Sequence, residues 1–255
     1  MKYKIREDIS IDFLGRKLFR IERISDKVLG GFIESEKNLS QSGDAWVSGD
    51  ARVSGNAQVY GNAQVTGDAR VYGDAQVYGN ARVYGDAQVT GDAQVCGDAW
   101  VSGDALVYGN AQVYGDARVY GDAWVSGDAL VYGDARVYGD AQVCGDARVC
   151  GDAQVCGDAR VCGDAQVYGD ARVYGDAWVT GNARVTAKKE CVNITCLPLN
   201  ITVTKSHTKI GCEQKLHEEW FNITEQKAKK MGLNKKYYTM FLIILEQLIW
   251  YVTDE

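Results

Sequence analysis

One pattern dominates the chain. The hexad V-x-G-[D/N]-A-x runs from Val47 to Val185 as twenty-four consecutive units, with no residue inserted or lost. Within each A-x-V-x stretch apolar and polar positions alternate, which predicts a short strand with Ala and Val inward and both x residues outward. A helix repeats near 3.6 and a flat sheet near 2, so a strict period of six predicts a stacked, coil-by-coil β structure. Gly-Asp or Gly-Asn forms each corner, because these residues tolerate the positive φ that tight turns use. Before the hexads, Tyr3 to Arg6 and Leu18 to Ile24 alternate as strands around a Gly15-Arg16 turn, and Leu29 to Glu34 leads into the first coil. Phe32, Ile33 and Leu39 are expected to cover the open valine core there.

After Val185 the composition changes abruptly at Lys188-Lys189-Glu190. Residues 191–213 predict a hairpin with strands Asn200 to Thr204 and Lys209 to Cys212, followed by helices Leu216 to Met231 and Lys235 to Thr253. The pattern therefore divides the chain into a β-rich cap (1–43), a repeat region (44–186) and a C-terminal hairpin plus helices (187–255). The last helix is strongly apolar (Phe241, Leu242, Ile244, Leu245, Leu248, Ile249), but Glu246 and Gln247 interrupt it. Its apolar part falls short of the roughly 20 residues of a membrane span. Packing on the hairpin or the rod end is expected, with self-association and then membrane contact as the alternatives.

The hexads of residues 44–186 resemble the left-handed β-helix family, in which three hexads close one triangular coil. The resemblance implies a mainly β fold: a single-stranded left-handed parallel β-helix of about eight coils, roughly 38 Å long at about 4.8 Å per coil. A β-rich N-terminal cap and a small α+β C-terminal domain would flank it. The string LGGFIESEKNLSQSGDAWVSGDA (29–51) resembles the entry segment of hexapeptide-repeat proteins of bacteriophage and prophage genomes, and LNITVTKSHTKIGCEQKLHEEW (199–220) looks like a tail domain of phage proteins. These likenesses imply a provenance, in host cytoplasm or virion, rather than a mechanism.

With three hexads per coil, residues 18 apart share a column. The first face carries Trp46, Gln64, Arg82, Trp100, Arg118, Arg136, Gln154 and Arg172 before its valines; the second carries Arg52, Arg70, Gln88, Leu106, Trp124, Gln142, Arg160 and Trp178. The third places Gln58, Gln76, Gln94 and Gln112 in consecutive coils, beside Tyr60, Tyr78, Cys96, Tyr114 and Tyr132. Such a ladder satisfies itself by stacking, or docks a partner or another subunit. One corner column is unbroken: Asp50, Asp68, Asp86, Asp104, Asp122, Asp140, Asp158 and Asp176. The other two are diluted by Asn56, Asn62, Asn80, Asn110 and Asn182. These aspartates read first as turn caps that accept backbone N–H groups, and second as an acidic ladder that imitates a nucleic-acid backbone or holds divalent cations.

Charge and composition narrow the functions. The repeat region has 19 Asp against 9 Arg with no Lys or Glu, so it carries −10 of a chain total of −6, which disfavours a direct phosphate-backbone partner. The 255 residues include 29 Gly but a lone Pro198, which excludes collagen-like segments. The first ten residues contain no secretory apolar region, so a cytosolic, reducing location and free thiols are expected. Cys96, Cys144, Cys150, Cys156 and Cys162 occupy the position after Val, and Cys144 and Cys162 lie one coil apart, within disulfide reach under oxidation. Cys191, Cys196, His207, Cys212 and His217 form a candidate metal set, although C-x4-C is looser than most structural zinc sites. The sequons at Asn193, Asn200 and Asn222 carry no weight without a secretion signal.

Acyltransferases and γ-class carbonic anhydrases of the resembled family use histidine on the coils, whereas His207 and His217 here both follow them. The expectation is therefore no catalysis and no cofactor. It is a phage- or prophage-encoded interaction or scaffold rod with a host or phage protein as partner, no direct nucleic acid and no membrane span. Homo-oligomers through a rod face or the last helix fit this reading. Its alternatives are an inhibitor of a host defence or nucleic-acid-binding enzyme acting through the acidic surface, then a virion fibre or tail accessory, and last a hexapeptide-type acyltransferase.

Overall fold

The computed structural model describes residues 1–187, 191–194, 201–210, 213–231 and 235–253. The chain opens with β1 (Tyr3–Phe13), β2 (Arg16–Arg23) and β3 (Leu29–Ile33), followed by a 3-10 turn at Glu36–Asn38. Each hexad then contributes one two-residue strand, from β4 (Trp46–Val47) to β27 (Arg184–Val185). Every third strand pairs in parallel with the strand 18 residues on, as in Arg82↔Trp100 and Val83↔Val101. The result is a β-solenoid with three faces of eight strands each, and β3 begins a further turn on the second face.

Alternation decides what lies inside. Ala and Val from Ala45 to Val185 are buried at 1% exposure or less, in one continuous core. Each valine contributes roughly 1.5 to 3 kcal/mol. The backbone is satisfied between coils: Trp46 N donates to Ala63 O, Ser48 N to Val65 O and Asp50 N to Gly67 O, each at 2.9 Å. At the corners only glycine takes positive φ, between +62° and +74°, while the following Asp or Asn does not. Ala51 N closes the turn on Ser48 O at 3.4 Å. Gly at the first central position alone matches a type II′ turn. Stacked glycines also leave no room for a side chain, since a Cβ on Gly103 would lie 3.0 Å from Gly121 N and 3.1 Å from its O.

The parallel ladders exchange bonds in both directions between coils, and at the open end of the rod the N-terminal cap continues them, supplying donors to carbonyls of the first coil. Phe32 N, Glu34 N and Ser40 N donate to Ala51 O, Val53 O and Val59 O at 2.8–3.0 Å. Fully buried Asn38 gives its Nδ2 to Gly55 O at 3.1 Å and Ala57 O at 2.9 Å. Lys2 Nζ donates to Ala45 O at 2.6 Å. At the other end Thr202 meets the last coil, its Oγ1 accepting from Trp178 N at 3.0 Å.

The cap departs from expectation in two ways. Its first strand extends to Phe13, forming a longer hairpin whose tip places Phe13 edge-on against Tyr72 of the rod. Ile33 and Leu39 join the core with Tyr3, Ile21 and Trp46, but Phe32 does not. Phe32 pairs in register with Arg52, an outward position, and is buried beneath the Arg20 guanidinium 4.6 Å above its ring. Alternation explains this, because Ile33 is in register with the inward Val53.

Beyond the rod, β28 (Cys191–Ile194), β29 (Ile201–Thr204), β30 (His207–Ile210) and β31 (Glu213–Leu216) form an antiparallel sheet in that order, so four strands replace the expected two. The helix expected over 216–231 is broken into α1 (His217–Phe221) and α2 (Glu225–Lys230). Ile223 turns inward at the break, and Thr224 caps α2 by accepting from Lys227 N at 3.2 Å. Trp220 is fully buried, donating Nε1 to Thr208 O at 2.7 Å. The final helix, α3 (Lys235–Thr253), buries Leu245 and Val252 with Ile201, Val203 and Ile210, and leaves Ile243, Trp250 and Tyr251 exposed. Among the described residues no helix is long and apolar enough to cross a membrane.

Candidate functional site

The solenoid turns each outward position into a column. On the third face Gln58, Gln76, Gln94 and Gln112 are consecutive in-register partners. Two of the four are engaged by tyrosines of the preceding coil: the hydroxyls of Tyr60 and Tyr78 donate to Oε1 of Gln76 and Gln94, each at 3.3 Å. Tyr60 and Tyr78 stack at 4.9 Å and 2°, and Tyr114 and Tyr132 at 4.9 Å and 1°. Cys96 separates the two stacks. A hydrogen bond with Cys96, together with burial, pushes the Tyr78 hydroxyl up to about 12; Cys150 and burial do the same for Tyr132. Burial raises Tyr60 and Tyr114 as well. This face keeps its phenols neutral.

The first face holds chemistry that column-by-column reading did not single out. Trp100 lies between two guanidinium groups, Arg82 at 5.2 Å and Arg118 at 4.9 Å from its ring centre, and Tyr120 stacks on Tyr138 at 4.9 Å. Tyr84, Trp100, Ser102, Arg118, Tyr120 and Arg136 line a surface groove there. The signal was present as Arg and Trp recurring at multiples of 18, but only stacking shows that the ring faces are occupied by arginines.

The acidic ladder is a solvent-facing column. Asp50, Asp68, Asp86, Asp104, Asp122, Asp140 and Asp158 are exposed and Asp176 is half-buried. Asp50 pairs with Arg20 at 3.0 Å, and the other seven have no side-chain partner among the described residues. The expected turn caps are not formed by these carboxylates. At these corners Asp50 N and Asp68 N donate to Gly67 O and Gly85 O of the next coil, and Ala51 N closes its own turn on Ser48 O. The diluted corners differ: Asn56 donates to Asp74 at 2.9 Å, Asn62 to Asn80 at 3.0 Å, Asn80 to Asp98 at 3.0 Å and Asn110 to Asp128 at 2.8 Å.

One pair of cysteines departs from the expected thiols. Cys144 and Cys162 are joined by a disulfide with Cα atoms 4.7 Å apart, whereas Cys96, Cys150, Cys156 and Cys191 are free. Stacking in one column brings the pair together despite the expectation of thiols throughout. Of the candidate metal set, Cys191 is buried in the rod's end, where burial pushes its thiol up to about 12. His217 is engaged by Thr208 Oγ1 at 2.9 Å and Lys205 O at 3.2 Å, and His207 by Ser206 Oγ at 2.8 Å. Cys196 and Cys212 lie outside the described residues, and among the described residues no group of three such ligands comes together.

Uninterrupted coils, laddered faces and capped ends define a β-solenoid repeat protein. The repeats match the family described as YdcK beta solenoid repeat over residues 45–61, 57–73, 75–91, 93–109, 111–127, 129–145, 141–157, 153–167 and 165–181. These segments span more than half of the chain, which belongs to that family. A search of curated proteins finds no match. Among solved structures, a Bacillus cereus protein provisionally described as an acetyltransferase is similar over 88% of this chain and 96% of its own, with 12% identity and a TM-score of 0.21. That likeness is too loose to carry an activity across.

Proposed function

We propose that the protein is a non-catalytic rod that acts by binding a protein partner, as an interaction or scaffold component. One observation carries this reading: twenty-four hexads run without a loop, so every outward side chain is part of a column and none is gathered into a site built by an insertion. Catalysis needs a nucleophile or base held within reach of an oriented substrate, and the coils carry no histidine for that role. The entry segment's likeness to phage-type repeat proteins makes host or phage proteins the natural partners. The test is affinity capture with the full chain, alongside an acyl-transfer assay with acetyl-CoA. A specifically retained protein with no acyl transfer supports the reading; turnover well above the uncatalysed rate overturns it.

The seven unpartnered carboxylates of the acidic ladder favour a second reading, in which that column meets a basic protein surface and competes with nucleic acid for it. Replacing Asp68, Asp86, Asp104 and Asp122 by Asn removes four of these charges without touching the core. Capture of a basic partner by this column is expected to fall at least tenfold in the variant, and to weaken with salt in the parent chain. Undiminished capture by the variant removes this reading.

A further inference from the structure

We infer that the third face is the surface through which two copies of this chain associate, packed face to face with the rods antiparallel. The inference rests on the binding-rod reading and names one occupant for one face.

Charge distribution singles this face out. Its outward positions in the first five coils are Gln58, Gln76, Gln94, Gln112 and Leu130, with Tyr60, Tyr78, Cys96, Tyr114 and Tyr132 beside them. None is charged at neutral pH. All five corner asparagines border this face: Asn56, Asn110 and Asn182 on one side, Asn62 and Asn80 on the other. Asn80, Asn56 and Asn110 donate to Asp98, Asp74 and Asp128, so three of the aspartates bordering this face receive hydrogen bonds as well. The corner between the other two faces is aspartate in every coil, and those faces carry four and three arginines in their strand columns, against Arg148 and Arg184 on this one. Two rods of −10 repel each other, and within a Debye length of about 8 Å the repulsion is least where asparagine and neutral ladders face outward.

Shape agrees with charge. Tyrosines stacked 4.9 Å apart within 2° of parallel give a flat surface. The strands of both terminal attachments join the second face's sheet, β1, β2 and β3 at one end and β29 on β26 at the other, and the cap meets the third face only at its end, where Leu39 bridges to Val59. Seven gaps of about 4.8 Å and a width of about 15 Å give roughly 500 Å² per copy. The total of about 1,000 Å² lies at the lower bound for a specific interface, which predicts a weak, reversible dimer.

Orientation follows from Arg148 and Arg184, the charged members of the face's strand column. Parallel rods would set each arginine beside its own copy. Antiparallel rods in full overlap set Arg148 opposite Gln94 and Arg184 opposite Gln58. The same overlap brings the free Cys96 of one copy opposite Cys150 of the second. Facing sheets pack about 10 Å apart, within reach of a short bismaleimide.

The test uses the full chain in sedimentation velocity across a concentration series. A concentration-dependent dimer that tightens with added salt is expected. Gln76→Asp with Gln94→Asp should weaken it at least tenfold, while Gln88→Asp with Gln142→Asp, the same change on the second face, should leave it unaltered. On the unsubstituted chain, a short bismaleimide should join Cys96 to Cys150 between copies, read by peptide mass spectrometry. A monomer at every concentration, equal effects of the two variant pairs, or an inter-copy cross-link pattern lacking Cys96–Cys150 overturns the inference. A monomer that still captures a partner protein leaves the binding-rod reading standing, whereas acyl transfer by the purified chain removes that reading whatever the oligomeric state.

Discussion

Val125→Asp is expected to end the rod's behaviour as one cooperative unit. Val125 is fully buried and in register with Leu106's neighbour Val107 on one side and Val143 on the other. An introduced carboxylate would find no donor, because the surrounding N–H groups are committed to the ladders with the neighbouring coils. Burial would hold it protonated, and even the neutral acid loses the packing of two methyl groups, so a cost of about 4 kcal/mol or more follows at neutral pH. That is a large part of the 5 to 15 kcal/mol typical of a whole domain. Because each coil touches only its neighbours, the break should be local. Limited proteolysis is expected to cut between the fourth and sixth coils, and chemical unfolding to lose its single transition. The folded-state pKa of the new carboxyl is raised, so the folded form holds its proton to higher pH than the unfolded chain does. The added cost is therefore greatest above the folded pKa and shrinks as pH falls below it. A variant with the parent's midpoint and cleavage pattern would contradict the inward placement of the valine column.

Asn38→Asp is the second large effect, and it acts at the rod's end. Asn38 Nδ2 serves two carbonyls, Gly55 O and Ala57 O, while its Oδ1 accepts from Ser35 N at 2.9 Å. The substitution keeps the shape and the acceptor but turns the amide donors into a second oxygen aimed at two oxygens. Two buried carbonyls lose their donor and meet a negative charge, which costs about 3 to 5 kcal/mol at neutral pH. The first coil would then present an open sheet edge, a template for end-to-end pairing. Expected results are a lowered denaturation midpoint and, near it, growth of large species by light scattering. As with Val125→Asp, the carboxyl's pKa is raised in the folded state, and acidification through that pKa restores one donor and part of the stability. Unchanged stability at pH 7 would show that Asn38 does not close the edge.

The legibility of this fold differs from end to end. The hexads were readable because six is a whole number of residues per face, so inward and outward positions never drift and no tertiary contact can override them. The third-face ladder was readable for the same reason, since Gln58, Gln76 and Gln94 share a column as soon as 18 residues make a coil. What the side chains do within the columns was less so. Tyr60 reaches Gln76, sixteen residues on, a relation that depends on how one coil sits over the next. The meaning of Asn56, Asn62, Asn80, Asn110 and Asn182 also needed the three faces laid out in space, because each looks like a neutral exchange for Asp in its own corner. The C-terminal region lacks a repeat, and local signals there compete. Ile223 reads as helical by spacing, yet it is buried at the break between α1 and α2 while Thr224 caps the second. Phe32 shows the same competition, an aromatic residue in an outward register held down by Arg20.

The 18-residue column also makes the solenoid a screw with graduated pitch. Gain or loss of three hexads moves everything beyond it by one coil, about 4.8 Å, and leaves each face in line with itself. Gain or loss of a single hexad keeps the alanine and valine core intact but turns all that follows by a third of a revolution. The glutamine column would then continue with the arginines and tryptophans of another face, and the terminal sheet would leave the seam it shares with the N-terminal hairpin. Such a chain would remain folded and lose the alignment of its surfaces, so selection on those surfaces would see length in steps of eighteen where the core alone permits steps of six.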